Sequence, residues 1–251
     1  MQKNTIITGA AGGIGLAVCE ALLAQQHQVW AVDLDISPLK ELATQYPQQL
    51  HCVALDVSDF DAVNTWLRPV LETHLIHELV CAAGVLQMGY AHELSPKDWQ
   101  RTFAINTEGV FNLCQPLAAH MRQHRQGAIV IISSNAASTP RTNMSAYAAS
   151  KAATTQFARC LALELAPLGI RVNSVSPGST DTPMQQAMWQ LGSSKETVIH
   201  GSAADFRLGI PLQKIATPLE IAQGVLFLLS DAASHICMHD LRIDGGATLD
   251  A

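Results

Sequence analysis

Tyr147 and Lys151 lie four residues apart in the stretch SAYAASKAA, whose other side chains are all small. On a helix, a spacing of four places both side chains on the same face. A cation beside a phenol lowers the pKa of the phenol, which would suit it to proton transfer near neutral pH. A plain surface pair would show the same spacing, so the rest of the chain must decide between the two interpretations.

A glycine-rich turn follows the first predicted strand and opens the first predicted helix, in the sequence TGAAGGIG at 8–15. Gly9, Gly13 and Gly15 permit a tight turn and the close approach of a pyrophosphate to the helix N-terminus. Asp33 ends the second strand, where a carboxylate can accept hydrogen bonds from both ribose hydroxyls of NAD and would repel the 2′-phosphate of NADP. No Lys or Arg lies in the turn or directly after Asp33, so we expect NAD. The alternative role of Asp33 is to cap the loop that follows it.

The third and fourth strands end in residues with two open interpretations each. Asp56 could meet an adenine amino group, or it could cap the helix that begins near Ser58. The sequence CAAG at 81–84 places small residues where a cofactor could approach the backbone, or where the chain packs tightly.

Strand-like and helix-like segments alternate along the whole chain. The predicted strands are NTIIT, QVWAVD, LHCVALD, HELVCAAG, GAIVIISS, GIRVNSVSPG and LRIDGG. Helical patterns separate them, including SPLKELATQY, with Ser37 as its cap and Pro38 at its first position, and a stretch from about Ser95 to Gln123 with room for two helices. This pattern predicts an α/β fold: a single doubly wound Rossmann-type domain over 1–251, with a parallel sheet of about seven strands and helices on both faces.

The least regular segment spans about residues 179–210 and is polar, with Gly and Ser interruptions. It follows the carboxyl end of a strand, where sheets of this kind bind ligands. We expect a mobile lid over a substrate there, rather than a surface insertion without function.

Composition narrows the partners and the compartment. The formal net charge of -6 argues against nucleic acid or an anionic membrane as the main partner. The six cysteines form no C-x-x-C pair and lie in apolar contexts, which is typical of reduced thiols in a cytoplasmic protein. Neither a signal peptide nor a spanning apolar run is expected. His120 and His124 are four residues apart but have no third ligand nearby in the sequence, so we predict no metal site.

Taken together, these motifs resemble those of the short-chain dehydrogenase/reductase family over nearly the whole chain. The matching residues are TGAAGGIG, AAG at 82–84, Asn106 in FAINTEG, Ser134 in IISSN, Tyr147 and Lys151 in YAASK, and PGSTDT at 177–182.

The resemblance implies a role for each matching residue. Tyr147 is expected to be the general base for alcohol oxidation, and Lys151 to lower its pKa and hold the nicotinamide ribose. Ser134 is expected to bind the substrate oxygen, and Asn106 to hold a helix backbone and a water that links Lys151 to solvent. Thr182 is expected to meet the nicotinamide carboxamide. Further cofactor contacts are expected from Ile14, Val57, Ala83, Gly84, Pro177, Gly178 and Thr180.

Two details of the match need comment. Cys81 stands where the family often has Asn, which puts the local strand pairing in question. Ser133 competes with Ser134 for the substrate role, but adjacent strand residues point to opposite faces, and the thirteen-residue spacing from Tyr147 selects Ser134.

A narrower resemblance points to a subgroup that acts in catechol-siderophore biosynthesis. It is carried by TPRTNMSAYAASK, SPGSTDTPMQ, FRLGIPLQKIA, SDAASHI and DGGATLDA. It implies NAD-dependent oxidation of 2,3-dihydro-2,3-dihydroxybenzoate, a carboxylated cyclic diol, to 2,3-dihydroxybenzoate. The resemblance to the wider family implies a homo-oligomer, often a tetramer.

Substrate contacts follow from the acid group of such a diol. Arg141 could grip the carboxylate, or it could form a surface or interface ion pair. Met184, Gln185 and Met188 could close over the ring, although the spacing of the two methionines also fits helix packing. The rival hypotheses are another short-chain alcohol dehydrogenase, a 3-oxoacyl reductase, and a dinucleotide-binding sensor or scaffold without turnover. The presence of Asn106 with the Ser, Tyr and Lys argues against the last.

Overall fold

Strands and helices alternate through residues 2–190 and 194–249, the part of the chain that the structure, a computed structural model, describes. The strands are β1 (Asn4–Thr8), β2 (Gln28–Asp33), β3 (Leu50–Ala54), β4 (Glu78–Cys81), β5 (Ala128–Ile132), β6 (Arg171–Pro177), β7 (Gly201–Ser202), β8 (Arg207–Leu208) and β9 (Asp240–Ile243). The α-helices are α1 (Gly13–Ala24), α2 (Lys40–Gln45), α3 (Phe60–Thr73), α4 (Pro96–Phe103), α5 (Gly109–His124), α6 (Ser145–Leu165), α7 (Pro183–Gln190), α8 (Lys195–His200) and α9 (Pro218–Leu229).

Seven of the described strands form one parallel sheet in the order β3-β2-β1-β4-β5-β6-β9. Strand β1 pairs with β2 on one side and with β4 on the other, so the strand order reverses there. In doubly wound sheets, a crevice opens at such a point beyond the carboxyl ends of the strands. The predicted α/β fold with about seven parallel strands is therefore confirmed.

Buried apolar side chains cover both faces of the sheet. Neighbouring residues of a strand point to opposite faces, so Ile6 and Ile7 of β1 belong to different clusters. Ile6 packs in the cluster that includes Leu117 of α5, whereas Ile7 packs with Leu22 of α1 and Val225 of α9. The sheet is thus a rigid platform between two apolar layers, and its carboxyl edge carries the loops that could form a site. Among the described residues, no helix has both the length and the apolar character needed to cross a bilayer.

The prediction for SPLKELATQY was wrong at its start. Residues Ser37–Leu39 form a 3₁₀ turn, and the α-helix begins only at Lys40. Ser37 is not a cap, because its N–H and hydroxyl both donate to the carboxylate of Asp35, at 2.9 Å each. Asp35 therefore organises the turn that the sequence assigned to Ser37.

Two helices do occupy Ser95 to Gln123, as predicted. They are joined without a break by a π-helical segment, Ala104–Glu108. Ser95 caps α4 by accepting a hydrogen bond from the N–H of Asp98, at 3.1 Å.

The segment 179–210 is more regular than its composition indicated. It contains α7, α8 and the antiparallel pair β7–β8, while residues 191–193 lie outside the described residues. Ser194 caps α8 by accepting from the N–H of Thr197 at 3.1 Å, so the polar residues that resemble a loop also start a short helix.

Cys81 does not disturb its strand. It pairs with Thr8 of β1 and with Ile131 of β5 in the regular parallel register. A buried thiol is accommodated because the pairing uses only main-chain atoms, and the concern about local strand pairing is removed.

Candidate active site

A cavity of about 630 Å³ opens at the carboxyl edge of the sheet. Its walls come from the turn after β1, the ends of β2 to β6, the start of α6, and α7. Nearly all of the site residues predicted from the sequence line it: Gly9, Gly13, Ile14, Gly15, Asp33, Asp56, Val57, Ala83, Gly84, Ser134, Arg141, Tyr147, Lys151, Pro177, Gly178, Thr180, Thr182, Met184 and Gln185. Asn106 is completely buried behind this wall.

The glycine-rich turn needs its glycines for two different reasons. Gly9 has φ +67°, and a Cβ atom there would lie 2.6 Å from the main-chain nitrogen of Ala83. A Cβ on Gly15 would overlap the carbonyl oxygen of Gly9. The turn is therefore pressed against the end of β4, and α1 begins at Gly13 with its N-terminus at the cavity.

Asp33 is tied to the same turn. Its Oδ2 accepts a hydrogen bond from the N–H of Ala11 at 2.9 Å, and its Oδ1 accepts from the N–H of Asp35 at 3.4 Å. The loop-capping role is thus present together with a place on the cavity wall. A carboxylate held in this way by two main-chain donors keeps further lone pairs for a ligand.

Asp56 does not cap a helix. Asp59 is the N-cap of α3 and accepts from the N–H of Ala62 at 2.9 Å. Asp56 instead accepts from the N–H and the hydroxyl of Ser58, at 2.9 and 2.7 Å, which closes a local turn at the cavity wall.

The two adjacent serines after β5 have separate roles, as the alternation of strand residues predicts. The Ser133 hydroxyl contacts the Thr155 hydroxyl at 2.5 Å and the carbonyl oxygen of Lys151 at 3.3 Å, so it joins β5 to α6. The Ser134 hydroxyl accepts from the N–H of Ala136 at 3.1 Å and bonds the Tyr147 side chain.

The expected lowering of the Tyr147 pKa is not what the protein itself produces. Burial raises the pKa of Tyr147 above its usual value, and the hydrogen bond from Ser134 opposes the rise. The Lys151 ammonium lies 5.9 Å from the centre of the tyrosine ring. Burial of the phenol therefore outweighs the effect of Ser134 on its pKa, because removing a phenolate from water is costly.

Lys151 is itself buried, with 4% of its surface exposed. Its Nζ donates to the carbonyl oxygen of Ile132 at 2.8 Å. Burial lowers its pKa to about 8, so the ammonium can lose or regain a proton near that pH.

Asn106 holds a loop rather than the helix backbone that was predicted. Its Oδ1 accepts from the N–H of Val85 at 2.8 Å, and its Nδ2 donates to the carbonyl oxygen of Val85 at 2.9 Å. The Nδ2 also donates to the Ser150 hydroxyl at 3.0 Å, and that hydroxyl donates to the carbonyl oxygen of Tyr147 at 2.7 Å. Asn106 is thus a positioning residue that connects the loop after β4 to the first turns of α6.

The start of α7 forms the opposite wall of the cavity. Thr182 accepts from the N–H of Gln185 at 3.3 Å, and its methyl group would lie 3.1 Å from a Cβ on Gly13. Gln185 is 8% exposed, and within the described residues its Nε2 has no hydrogen-bond partner. Met184 and Met188 both line the cavity, so their spacing is not explained by helix packing alone.

Two basic residues of the cavity, Arg101 and Arg207, were missed from the sequence, and Arg207 is the more distant of the two from Arg141 along the chain. Arg207 of β8 lines the same cavity as Arg141, although 66 positions separate them (207 minus 141). Arg207 lies in the segment FRLGIPLQ, which resembles the siderophore subgroup but did not by itself predict a cavity residue. No local pattern reveals it, because only the fold brings β8 next to the loop before α6.

These residues fit a nicotinamide dinucleotide. The turn at Gly9 and Gly15 leaves a side-chain-free surface at the start of α1, where a pyrophosphate binds favourably. Asp33 offers acceptors at the end of β2, and Lys151 offers a buried cation beside the phenol. When bound, such a cofactor supplies a nicotinamide ring that exchanges a hydride.

Comparisons with known proteins agree with this geometry. The family model described as short chain dehydrogenase matches residues 3–191. A protein of Vibrio cholerae named vibriobactin-specific 2,3-dihydro-2,3-dihydroxybenzoate dehydrogenase is 47% identical, covering 100% of this chain and 97% of its own length. A 2,3-dihydro-2,3-dihydroxybenzoate dehydrogenase of Bacillus subtilis is 46% identical, covering 98% of this chain and 96% of its own.

Solved structures extend the likeness to the whole fold. The structure titled ElxO with NADP bound superposes with a TM-score of 0.87 at 28% identity, covering 98% of this chain and 99% of that one. The sequence match, the shared fold and the Ser-Tyr-Lys arrangement lead to one conclusion. The chain belongs to the short-chain dehydrogenase family.

Proposed function

We propose that this chain oxidises 2,3-dihydro-2,3-dihydroxybenzoate to 2,3-dihydroxybenzoate with NAD, as a step of siderophore biosynthesis. Full-length relatives at 46–47% identity bear that activity in their names. The observation that carries the proposal is that the Ser134 hydroxyl, the Tyr147 phenol and the Arg141 guanidinium line one cavity. The first two groups would hold a ring hydroxyl, and the guanidinium would hold the carboxylate on the same ring.

The protein groups would divide the proton chemistry among themselves. Ser134 would orient the substrate hydroxyl by hydrogen bonding, and Tyr147 would take its proton as the C–O bond gains double-bond character. The neighbouring Lys151 ammonium would favour the phenolate that Tyr147 must present, although burial opposes it. The carbon-bound hydrogen would leave as hydride to a bound nicotinamide, and the resulting ring ketone would tautomerise to the catechol.

We propose NAD rather than NADP on the basis of Asp33. Its carboxylate lines the cavity beyond the glycine-rich turn, where it would bind two ribose hydroxyls and repel a 2′-phosphate. The ElxO structure with NADP is 28% identical and leaves the choice for this chain open.

Substrate contacts extend the proposal to three further residues. Arg141 is half-buried, and in the part of the chain that the structure describes its guanidinium has no hydrogen-bond partner of its own. The unpartnered Nε2 of Gln185 would donate to a second substrate oxygen, and Met184 would lie against the ring. The segment 179–210 would act as the lid that carries the last two.

We further propose a cytoplasmic homotetramer. Phe111 of α5 and Leu163 of α6 are 46% and 67% exposed, which leaves apolar surface for subunit contact. All six cysteines are free thiols, consistent with a reducing compartment. Light scattering on the purified protein measures the assembly directly.

The deciding experiment mixes the purified protein with NAD and trans-2,3-dihydro-2,3-dihydroxybenzoate, and follows NADH absorbance together with the catechol product. We expect both to appear at equal rates, and Tyr147→Phe to reduce kcat by about 10³-fold while NAD binding persists. Protein that binds NAD but forms no NADH would refute the substrate. Turnover of other cyclic alcohols, or NADPH-dependent reduction of 3-oxoacyl compounds, would then identify the rival enzyme, and no turnover at all would favour a sensor.

A further inference from the structure

Arg207 and Arg141 line the same cavity and lie close enough for the charge of Arg141 to act on Arg207. Arg141 comes from the loop before α6, and Arg207 comes from β8 of the small hairpin. We propose that the two guanidiniums form one anion subsite, in which Arg207 is a second ligand for the substrate carboxylate and determines specificity for acids. The identity of the acid rests on the proposed function, whereas the presence of an anion subsite does not.

The hairpin holds Arg207 in a defined position. Ser202 pairs with Arg207 across the two strands, and the Arg207 Nη2 donates to the hydroxyl of Ser179 at 2.9 Å. Val198 of α8, just before the hairpin, and Ile210, just after it, form a small buried cluster with Ala247. The guanidinium is thus anchored to the segment after β6 and supported by apolar packing, rather than extended into solvent.

Two half-buried like charges in one cavity need compensation. Burial lowers the pKa of Arg207, and the positive charge of Arg141 lowers it further. Burial also lowers the pKa of Arg141. Since an arginine stays protonated at any ordinary pH, the repulsion persists until an anion lies between the two cations.

The nearby acidic groups do not neutralise this pair. Asp205 is exposed, and its carboxylate accepts from the Ser202 hydroxyl at 2.6 Å. Asp244 lies near Arg141, but it accepts from the N–H of Gly246 at 3.0 Å and from the Asn135 amide at 3.2 Å. Both acids act on the arginines at a distance, and among the described residues neither forms a salt bridge with them.

A carboxylate matches this arrangement better than a neutral group does. Its two oxygens can each accept from a planar guanidinium, and one anion cancels the repulsion that the pair imposes. A ring without the acid would leave two half-buried cations in the cavity without a counter-charge. Discrimination between the acid and its decarboxylated analogue should therefore depend on Arg207 as much as on Arg141.

The test measures binding of two product-like probes, 2,3-dihydroxybenzoate and catechol, by calorimetry in the presence of NAD. We expect the wild-type chain to bind the acid at least about 30-fold more tightly, since a charge-assisted pair contributes roughly 2 kcal/mol. Arg207→Gln should reduce this ratio by at least about tenfold with the Kd of catechol unchanged, and Arg207→Lys should retain part of it. Arg68→Gln, which removes an exposed arginine paired with Glu72 on α3, is the matched control.

Each outcome separates the subsite from the proposed reaction. If Arg207→Gln leaves the ratio unchanged, or weakens both probes equally, the subsite is refuted even when the wild-type chain oxidises the diol. Equal wild-type affinity for the two probes also refutes it. If the wild-type chain does not oxidise the diol, but binds 2,3-dihydroxybenzoate with an affinity that falls in Arg207→Gln, the proposed function fails and the anion subsite stands. Ser179→Ala removes the hydroxyl that the Arg207 guanidinium donates to but keeps the guanidinium, so it should weaken acid binding by a smaller factor. This variant therefore controls for a loss of binding caused by a misfolded hairpin.

Discussion

The Lys151 ammonium donates a 2.8 Å hydrogen bond to the carbonyl oxygen of Ile132, the last residue of β5. This bond fixes the buried ammonium at the end of β5, where it lies 5.9 Å from the centre of the Tyr147 ring. A single carbonyl dipole does not replace the water that the ammonium has lost, so burial brings its pKa down to about 8.

The free energy of unfolding should therefore depend on the protonation of Lys151 at mildly alkaline pH. With a folded pKa of about 8 and a usual value of 10.5, the unfolded chain binds more protons than the folded chain between these limits. The free energy of unfolding rises with pH wherever the unfolded state holds more protons. The wild-type chain should gain stability relative to Lys151→Met from pH 7.5 to 9.5, by up to about 3 kcal/mol at higher pH.

Urea unfolding of the two chains at several pH values measures this difference. The matched control is Lys40→Met, which removes an exposed ammonium at the start of α2. Parallel stability curves for the wild-type chain and Lys151→Met would mean that the ammonium is not penalised by burial.

The two serines after β5 should be separable by kinetics and stability. Ser134→Ala removes the hydroxyl that bonds Tyr147, and we expect kcat/KM to fall by about 100-fold. Ser133→Ala removes contacts to α6, and we expect a loss of roughly 1–2 kcal/mol in unfolding free energy with kcat/KM changed less than about fivefold. Steady-state kinetics and denaturant unfolding of both variants decide, and each serves as the control for the other. A reversed pattern would transfer the substrate role to Ser133.

Replacement of the Asp33 carboxylate should shift cofactor choice. Asp33→Asn keeps an oxygen that can accept from Ala11 but removes the charge that would repel a 2′-phosphate. The ratio of kcat/KM for NAD over NADP should fall by about tenfold to 100-fold, because like-charge contacts cost several kcal/mol. Asp35→Asn, two residues further on, controls for charge near the site. An unchanged ratio in Asp33→Asn would assign Asp33 to loop capping alone.

Two separate glycine-to-alanine substitutions in the glycine-rich turn test its packing, because each adds one methyl group at a different position. Gly15→Ala places a Cβ against the carbonyl oxygen of Gly9, whereas a Cβ on Gly12 meets nothing within 4 Å. Gly15→Ala should lose more than about 2 kcal/mol of unfolding free energy, and Gly12→Ala less than about 0.5 kcal/mol. Thermal or urea unfolding measures both. Equal losses would show that the close packing of this turn is not what requires glycine.

Much of the fold and the cofactor end of the site could be predicted, because both depend on local patterns. The strands that precede TGAAGGIG and CAAG are short apolar runs, and their order along the chain fixes the crevice at the switch between β1 and β4. Alternation of side chains at the end of β5 was sufficient to predict that Ser133 and Ser134 make different contacts.

The remainder depends on distances that no local pattern encodes. Arg207 reaches the cavity that Arg141 lines only because the short β7–β8 hairpin forms part of the cavity wall. Helix α8 has six residues, too few to show a helical period. The direction of the Tyr147 pKa follows from burial by the complete fold rather than from its neighbour four residues away. The partner of Asn106, the Val85 main chain, likewise lies in a loop without a sequence signature.

Helices α4 and α5 and the π-helical segment between them, which contains Asn106, form one continuous rod. The contacts at both ends of this rod depend on its exact number of residues. Each residue of a helix turns its successors by about 100°, so deleting one residue between Ala104 and Glu108 would rotate one half of the rod against the other. Either Asn106 would turn away from Val85 and Ser150, or α5 would present a different face to the sheet. Point substitutions can be absorbed locally, but insertions and deletions in these five residues would be transmitted to both ends of the rod, which makes the segment intolerant of any change in length.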